Sequence, residues 1–245
     1  RVDWAVEQAL SRNLKVVLNV HHYDELTDDP HGHRERFLAI WRQLAEHYRD
    51  RPETLFFELL NEPRAPLSAD AWNELAAAAL AEVRPTNPRR WVVIGPVDFN
   101  AIRALRSLRL PEQDQRLIVT VHYYLPFGFT HQGAAWLGQQ APPMGTPWRG
   151  TDAERAAIRR DFDAALAWAI DHRRPVYLGE FGAYERADLE SRMRWTRAVA
   201  EAAAERKFSL AYWEFGSGFG LYDPTTNVWI ERLLKAVLPE ARTAR

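Results

Sequence analysis

The sequence predicts an α/β fold built around a parallel β-sheet, and two observations support that prediction. Six short apolar segments recur along the chain, and each is followed by a polar or aromatic loop and then by an amphipathic helical pattern. The segments are apolar throughout instead of alternating, as expected for parallel strands that are covered on both faces. Strands that alternate with helices in this way form right-handed βαβ units.

Each unit can be placed on the chain. Strands are predicted at 15–22, 54–62, 91–96, 117–124, 175–182 and 208–215. Helices are predicted at 33–49, 69–84, 99–107, 152–171, 188–206 and 227–237, and residues 2–12 show the apolar spacing of a further helix. One connection, residues 125–151, is long and rich in aromatic residues, proline and glycine, and long connections of this kind are usually functional. No linker interrupts the pattern, so we expect one domain over residues 1–245.

Composition and charge narrow the classes of function. Lys and Arg total 32 against 33 Asp and Glu, and no basic block occurs, which argues against nucleic acid and anionic membranes as partners. The chain has no cysteine, which excludes disulfides and thiolate chemistry. No apolar segment approaches the length of a membrane span, and no signal-peptide pattern is present. Ten tryptophans are many for this length, and indole rings stack on sugars, although large aromatic residues more often fill a core.

Polar and aromatic side chains gather at the C-terminal ends of the predicted strands, except the third. In parallel α/β folds this edge of the sheet forms the ligand site, so residues far apart in sequence are expected to meet there. The N-terminal ends of the strands carry ordinary surface residues. The residues at the ligand edge are Asn19, His21, His22, Asn61, Glu62, His122, Tyr123, Tyr124, Glu180, Trp213 and Glu214.

Glu62 and Glu180 are the strongest candidates for chemistry. Each follows a strongly apolar strand, where a carboxylate is costly unless it is hydrogen-bonded, paired or needed. Singly, each has a plain structural explanation, since a glutamate there often serves the next helix and Asn-Glu-Pro also suits a turn. Together, in a cleft with Trp, His and Tyr, they suggest glycoside hydrolysis, in which one acid protonates the leaving oxygen and the other attacks the anomeric carbon or activates water. Asn61 is then a candidate partner of the sugar 2-hydroxyl, and Tyr124 a candidate donor to Glu180.

Five motifs resemble glycoside hydrolase family 5, the bacterial endo-β-1,4-glucanases and related β-mannanases. They are "LNVHHYDEL", "FFELLNEP", "VTVHYYLPFGFTHQG", "YLGEFGAY" and "AYWEFGSGFGLYD", in the family's order and across essentially the whole chain. The resemblance implies a TIM-type (β/α) barrel, truncated here to about six βα units. It implies a retaining mechanism with Glu62 as general acid/base and Glu180 as nucleophile, and no metal or cofactor. The substrate-binding residues it implies are Asn61, His21, His22, His122, Tyr124, Trp213, His131 and Trp136.

The chain departs from the family pattern at its beginning. The segment "RVDWAVEQAL" matches the helix after the family's second strand, so the first strand, the first helix and the second strand have no counterpart. The second family strand normally carries an arginine near the nucleophile. Unpaired strand edges and uncovered helix faces favour association, so we expect either a homodimer through strands 15–22 and 208–215 or a narrower six-stranded barrel. The expected partner is a polysaccharide, and the resemblance implies secretion.

Two other classes stay open. The first is a sugar-binding barrel that has lost catalysis, because it would keep both glutamates and the aromatic residues. The second is a metal-dependent hydrolase that uses His21, His22, His122 and a carboxylate, since imidazole and carboxylate groups suit zinc. Against a metal site, the first strand has no His-x-His pair and the last has no aspartate.

Overall fold

Six β-strands follow one another in the sheet in the order in which they occur along the chain. In the computed structural model, which describes residues 1–238, they are β1 (Val16–Asn19), β2 (Leu55–Glu58), β3 (Val92–Ile94), β4 (Leu117–Tyr123), β5 (Val176–Phe181) and β6 (Ser209–Leu210). The six predicted strands are therefore confirmed, although each is shorter than its apolar segment. Residues 239–245, the last part of the predicted domain, lie outside the described residues.

The helices mostly match the predicted segments. They are α1 (Val2–Leu10), α2 (Asp24–Asp28), α3 (Arg34–His47), α4 (Ala69–Val83), α5 (Phe127–Thr130), α6 (Asp152–His172), α7 (Leu189–Glu205) and α8 (Glu231–Val237). Two 3-10 helices, Ile102–Ser107 and Ala135–Gln140, and a short turn of helix at Val97–Asn100 also occur within residues 1–238. The long connection 125–151 therefore contains short helical segments of its own.

The helix predicted at 99–107 is wrong in its first part. Asp98, Phe99 and Asn100 have φ angles of 64°, 60° and 55°, so the chain makes a left-handed turn before the 3-10 helix begins. L-residues rarely adopt this conformation, but aspartate and asparagine tolerate it better than most. Asn100 is fully buried, which makes the turn part of the packed structure.

The helix predicted at 227–237 begins later than expected. Strand β7 (Tyr222–Asp223) pairs antiparallel with β8 (Val228–Trp229), and α8 starts only at Glu231. The sequence signal for this hairpin is the polar Pro-Thr-Thr-Asn segment followed by Val228 and Trp229, which both favour strands. Stacking of Tyr222 on Phe215, with ring centroids 5.1 Å apart, and an edge contact with Trp229 stabilise it.

The chain divides into two compact units, and the first comprises residues 1–121 and 168–176. Within it β1, β2, β3 and β4 pair in parallel, with Asn19 of β1 opposite Glu58 of β2. Trp41 of α3 is fully buried, packs 5.5 Å from the ring of Phe57, and donates its Nε1–H to the carbonyl of Leu59. These contacts fix β2 in the sheet just before the segment that carries Asn61 and Glu62.

Arg90 joins the N-terminal end of β2 to the segments that precede it. Its guanidinium is buried and donates to the side-chain oxygen of Asn87 and to four backbone carbonyls, those of Tyr48, Arg51, Pro52 and Leu55. The planar fork of five N–H groups matches this ring of acceptors, which a lysine could not do. Burial lowers the pKa of Arg90 from its usual value, and nearby Glu53 opposes that effect.

The second unit comprises residues 122–167 and the described residues from 177 onward. Here β5 pairs in parallel with β6, and α7 supplies the core. Trp195 of α7 is fully buried and donates its Nε1–H to the carbonyl of Leu125, just past the end of β4. Arg192, also buried, donates to the carbonyls of Ala183 and Phe219 and so joins two loops of the candidate site.

Among the residues that the structure describes, none of the helices combines the length and the apolar composition needed to cross a lipid bilayer.

The N-terminal cap of α7 provides a test of helix stability. The Asp188 carboxylate accepts a hydrogen bond from the N–H of Ser191. Burial raises the pKa of Asp188, but the hydrogen bonds from Ser191 and the charge of Arg194 outweigh it, and the pKa lies below its usual value. We expect Asp188→Ala to lower the free energy of unfolding by about 1 kcal/mol at neutral pH, measured by urea denaturation.

The pH dependence of that difference follows from the direction of the shift. Because the folded-state pKa is depressed, the stabilisation is present above the unfolded pKa, about 3.9, and is lost as pH falls through the folded value. Asp188→Asn is the control, because it keeps the cap without a titrating group. A difference between Asp188→Ala and the parent chain that is larger at pH 3 than at pH 7 would contradict this account.

Candidate active site

Glu180 lies at the C-terminal end of β5 and is only 9% exposed. The phenol of Tyr124 donates a hydrogen bond of 2.8 Å to its Oε2. The Nδ1 of His122 lies 3.6 Å from the same oxygen. Strand β4 delivers both partners, since His122 is within it and Tyr124 follows it. The Tyr124–Glu180 hydrogen bond expected from the sequence is present.

Aromatic rings surround this carboxylate within the second unit. His131 contacts the rings of Tyr124 and Phe219 at 5.0 and 5.5 Å, and it stacks on Phe127 at 4.2 Å. Trp136 is 57% exposed and meets His131 at 6.3 Å. The predicted residues Tyr124, His131 and Trp136 therefore form one wall. A half-exposed aromatic wall of this kind suits the apolar faces of sugar rings.

Trp213 follows β6 and is half-buried. Its backbone N–H donates to the carbonyl of Phe181 at 2.9 Å, which ties it to the residue after Glu180. A Cβ on Gly182 would lie 2.2 Å from the carbonyl oxygen of Trp213, so only glycine permits this approach. The Trp213–Glu214 peptide bond is cis.

Glu214 serves the loop that follows β6. Its carboxylate accepts hydrogen bonds of 3.0 and 2.7 Å from the N–H groups of Gly216 and Ser217. Glu214 is therefore needed to satisfy the backbone N–H groups of this loop, which explains a glutamate at this strand end.

In the first unit, Asn61 and Glu62 follow β2. Asn61 is buried, and its N–H donates to the carbonyl of Val20 at 3.0 Å. Glu62 is half-buried and has a φ of 46°, a conformation that non-glycine residues rarely adopt. The carbonyl of Pro63 accepts from the N–H of Phe99 at 3.3 Å, so the residues on both sides of Glu62 are held in place.

His21 and His22 follow β1 and contact each other edge to face, with ring centroids 4.5 Å apart. His21 is half-buried, whereas His22 is exposed. The Nδ2 of Asn19 lies 3.4 Å from the Nδ1 of His21 and donates to the Oε2 of Glu58 at 3.2 Å. Since a carboxylate oxygen accepts, this contact orients the amide toward Glu58.

The sequence prediction missed Glu58, Thr130 and Phe219. Glu58 is a buried carboxylate inside β2, and its signal was an acidic residue in the middle of the apolar run "LFFELL". Phe219 lies in a glycine-rich loop whose fold the local pattern does not specify. Thr130 is fully buried beside the aromatic wall, and no property of the sequence distinguishes it from other loop threonines.

The site holds a carboxylate at a fixed position beside a partly exposed aromatic surface. A buried carboxylate that accepts a phenolic hydrogen bond is positioned to act as a nucleophile or a base. A parallel α/β sheet with this group at a strand end, next to exposed aromatic rings, defines the class of the (β/α)-barrel glycoside hydrolases.

Comparison with known families gives the particular family. The chain belongs to glycosyl hydrolase family 5, because the family model described as Cellulase matches residues 1–218. Endoglucanase H of Acetivibrio thermocellus is 34% identical over 243 residues, which cover 97% of this chain but 26% of that protein. The chain thus spans about a quarter of that curated relative.

Solved structures agree with the family. A hyperthermophilic endo-β-1,4-glucanase in complex with substrate is 45% identical, with a TM-score of 0.95 over 97% of this chain and 76% of its own. Thermotoga maritima Cel5A in complex with mannotriose is 46% identical, with a TM-score of 0.94 over 97% of this chain and 77% of its own. The predicted TIM-type (β/α) fold class is therefore confirmed.

The close approach at Gly182 can be tested by adding a single methyl group. Gly182→Ala places a Cβ 2.2 Å from the Trp213 carbonyl, so strand end and loop must separate. We expect a loss of about 1–3 kcal/mol in the free energy of unfolding, as for other overpacked sites. Gly128→Ala is the matched control, because a Cβ there meets nothing within 4 Å. Equal stability of the two variants in urea denaturation would show that the approach is not a constraint.

Proposed function

We propose that this chain hydrolyses β-1,4-linked glucans with retention of configuration, using Glu62 as general acid/base and Glu180 as nucleophile. The observation that carries the proposal is the hydrogen bond of 2.8 Å from Tyr124 to the buried Glu180 carboxylate. A donor on this carboxylate favours the ionised form that attacks an anomeric carbon. Membership of family 5, in which the relatives are named endoglucanases, supports the same chemistry.

The backbone at Glu62 supports its part in the reaction. Its φ of 46° is costly for a residue with a side chain, by about 1–3 kcal/mol, and such strain persists only where neighbouring contacts impose it. The hydrogen bonds of Asn61 and Pro63 supply those contacts. Residues strained in this way concentrate at active sites, where they hold a side chain in a required position.

The proposed reaction has two steps. Glu62 protonates the glycosidic oxygen while the Glu180 carboxylate attacks the anomeric carbon, so the glycosidic bond breaks and a glycosyl ester on Glu180 forms. Glu62, now a carboxylate, then takes a proton from water, which attacks the same carbon and releases Glu180. A retaining pair requires carboxyl groups about 5–5.5 Å apart. Asn61 is proposed to bind the sugar 2-hydroxyl, with His21, His22, His122, Tyr124, His131, Trp136 and Trp213 as further substrate contacts.

The substrate class is proposed from the relatives and the aromatic wall. One solved relative is an endo-β-1,4-glucanase with substrate, and Cel5A of Thermotoga maritima has been solved with cellobiose and with mannotriose. We therefore propose cellulose-type glucans as substrate and glucomannan as a second polymer. Residues 1–245 are proposed to act as one catalytic domain, and polymers of this size favour an extracellular place of action.

Replacing either carboxylate tests the assignment. We expect Glu62→Gln and Glu180→Gln each to reduce the release of reducing sugar from carboxymethylcellulose by at least about 10²-fold, because each removes a group needed in the transition state. Proton NMR of the first product formed from a cellooligosaccharide should show the β-anomer. Glu74→Gln, on the exposed face of α4, is the matched control.

The same assay separates the other classes. Full activity in both variants would refute the site assignment, and initial release of the α-anomer would refute retention. Binding of glucan without release by the parent chain would favour the non-catalytic sugar-binding barrel. Loss of activity with EDTA would favour a metal-dependent hydrolase, since glutamate and histidine side chains are zinc ligands.

We also propose a homodimer, with the surface of α1 and β1 as its interface. Val17 of β1 is 37% exposed, Trp4 of α1 is 69% exposed, and Leu14 between these elements is 55% exposed. In the described sheet β1 pairs with β2 alone. Apolar surface beside a strand edge favours association with another chain.

Sedimentation velocity at micromolar concentration tests the homodimer. We expect twice the mass of the 28.3 kDa chain, and we expect Trp4→Glu and Val17→Lys to shift the population to monomer. Ile170→Lys is the control, because Ile170 is 65% exposed but lies on α6. A monomeric parent chain would contradict the dimer and leave the proposed hydrolysis untouched.

A further inference from the structure

Thr130 is a fully buried threonine whose hydroxyl contacts two residues of the candidate site. It lies at the end of α5, in the long connection after β4. Its Oγ1 donates to the carbonyl of Tyr124 at 2.6 Å and lies 2.9 Å from the Nδ1 of His131. Its own carbonyl accepts from the N–H of Tyr184 at 2.8 Å.

The proton inventory of these groups fixes the direction of each hydrogen bond. A hydroxyl has one proton to donate and two lone pairs, and a carbonyl only accepts. The Thr130 proton therefore goes to the Tyr124 carbonyl. In the contact between Thr130 and His131, the Oγ1 of Thr130 must then be the acceptor. The Nδ1 of His131 must therefore carry a proton.

The tautomer of His131 follows from this inventory. A neutral imidazole with its proton on Nδ1 has a lone pair on Nε2, which then accepts a hydrogen bond. Stacking on Phe127 at 4.2 Å, with 16° between the ring planes, restrains the orientation of the ring. A histidine held in this way keeps one tautomer, with its acceptor on Nε2.

The Thr130 hydroxyl also restrains Tyr124, the residue that donates to Glu180. By holding the Tyr124 carbonyl, it restrains the backbone of the residue whose phenol donates to Glu180. Its backbone carbonyl restrains Tyr184, which follows β5. A valine would fill almost the same space, so packing alone does not require the hydroxyl that makes these hydrogen bonds.

We propose that Thr130 is a positioning residue that keeps the Nδ1 of His131 protonated and restrains Tyr124 beside Glu180. The proposal deepens the proposed function and rests on it for the reaction that these positioned groups serve. The tautomer of His131 is independent of any activity, so it can be tested separately.

Nitrogen NMR of the histidine rings tests the tautomer. The protein is labelled with ¹⁵N-histidine, and the His131 signals are identified as those that disappear in His131→Gln. At a pH at which the ring is neutral, we expect Nδ1 to be protonated and Nε2 unprotonated. In Thr130→Val, we expect the population with a protonated Nε2 to increase. A protonated Nε2 in the neutral ring of the parent chain would overturn the proposal.

Steady-state kinetics on cellotetraose test the positioning role. We expect Thr130→Val to lower kcat/KM about tenfold, which corresponds to about 1.4 kcal/mol. Thr130→Ser keeps the hydroxyl and should stay within about twofold of the parent chain, because serine can make the same hydrogen bonds. Thr146→Val, a substitution of the same type in the same connection, is the control.

The outcomes distinguish positioning from folding. Unfolding curves for each variant give the folded fraction, and kcat/KM is corrected for it. A kcat/KM in Thr130→Ser close to that of the parent chain, together with a changed His131 tautomer in Thr130→Val, would support a positioning role. Unchanged kcat/KM in Thr130→Val would overturn it. If the parent chain released no sugar, the proposed function would fail, while the nitrogen shifts would still decide the tautomer.

Discussion

A carboxylate buried at the end of β5 is the constraint on which the second unit is organised. Glu180 is 9% exposed, and an ionised group with so little access to water must have donors supplied by the protein. Tyr124 donates a hydrogen bond to this carboxylate, and the Nδ1 of His122 lies 3.6 Å from the same oxygen; both residues come from the end of β4. The requirement to hold Tyr124 in place extends outward to Thr130 and from there to His131. One buried carboxylate therefore accounts for the positions of several neighbouring side chains.

Buried tryptophans donate hydrogen bonds to backbone carbonyls that lie just past the ends of strands. These carbonyls need a donor from outside the sheet, because the strand pairing has ended. The carbonyls of Leu59, Gly95 and Leu125 lie one or two residues past β2, β3 and β4 and each accepts an indole N–H. The donors are Trp41, Trp72 and Trp195, which are almost completely buried on three different helices. A buried carbonyl without a partner would cost about 1–3 kcal/mol. Part of the unusual tryptophan content thus stabilises strand ends, two of which precede residues of the candidate site, whereas Trp136 lies in the aromatic wall.

The sequence predicted what depends on local pattern and missed what depends on contacts. Strands, main helices and the chemical groups at strand ends follow from apolar runs and from the polarity of parallel sheets. The left-handed turn at Asp98–Asn100 was missed because it depends on packing around Asn100, which hydropathy does not report. Thr130 was missed for the same reason. Its hydroxyl matters because the fold places the Tyr124 carbonyl and the Nδ1 of His131 beside it, and the sequence does not show these contacts.

The long connection 125–151 was predicted to be functional, and one buried side chain links its two ends. Gln132 is 1% exposed, donates to the carbonyls of Phe129 and Thr146, and accepts from the N–H groups of Gly145 and Thr146. This buried amide joins the two ends of the segment that carries Trp136. A wall that is already ordered loses little conformational entropy when a ligand binds, so more of the contact energy appears as affinity. Under the proposed function, the aromatic wall would therefore offer a sugar a surface whose shape is already set by the Gln132 hydrogen bonds.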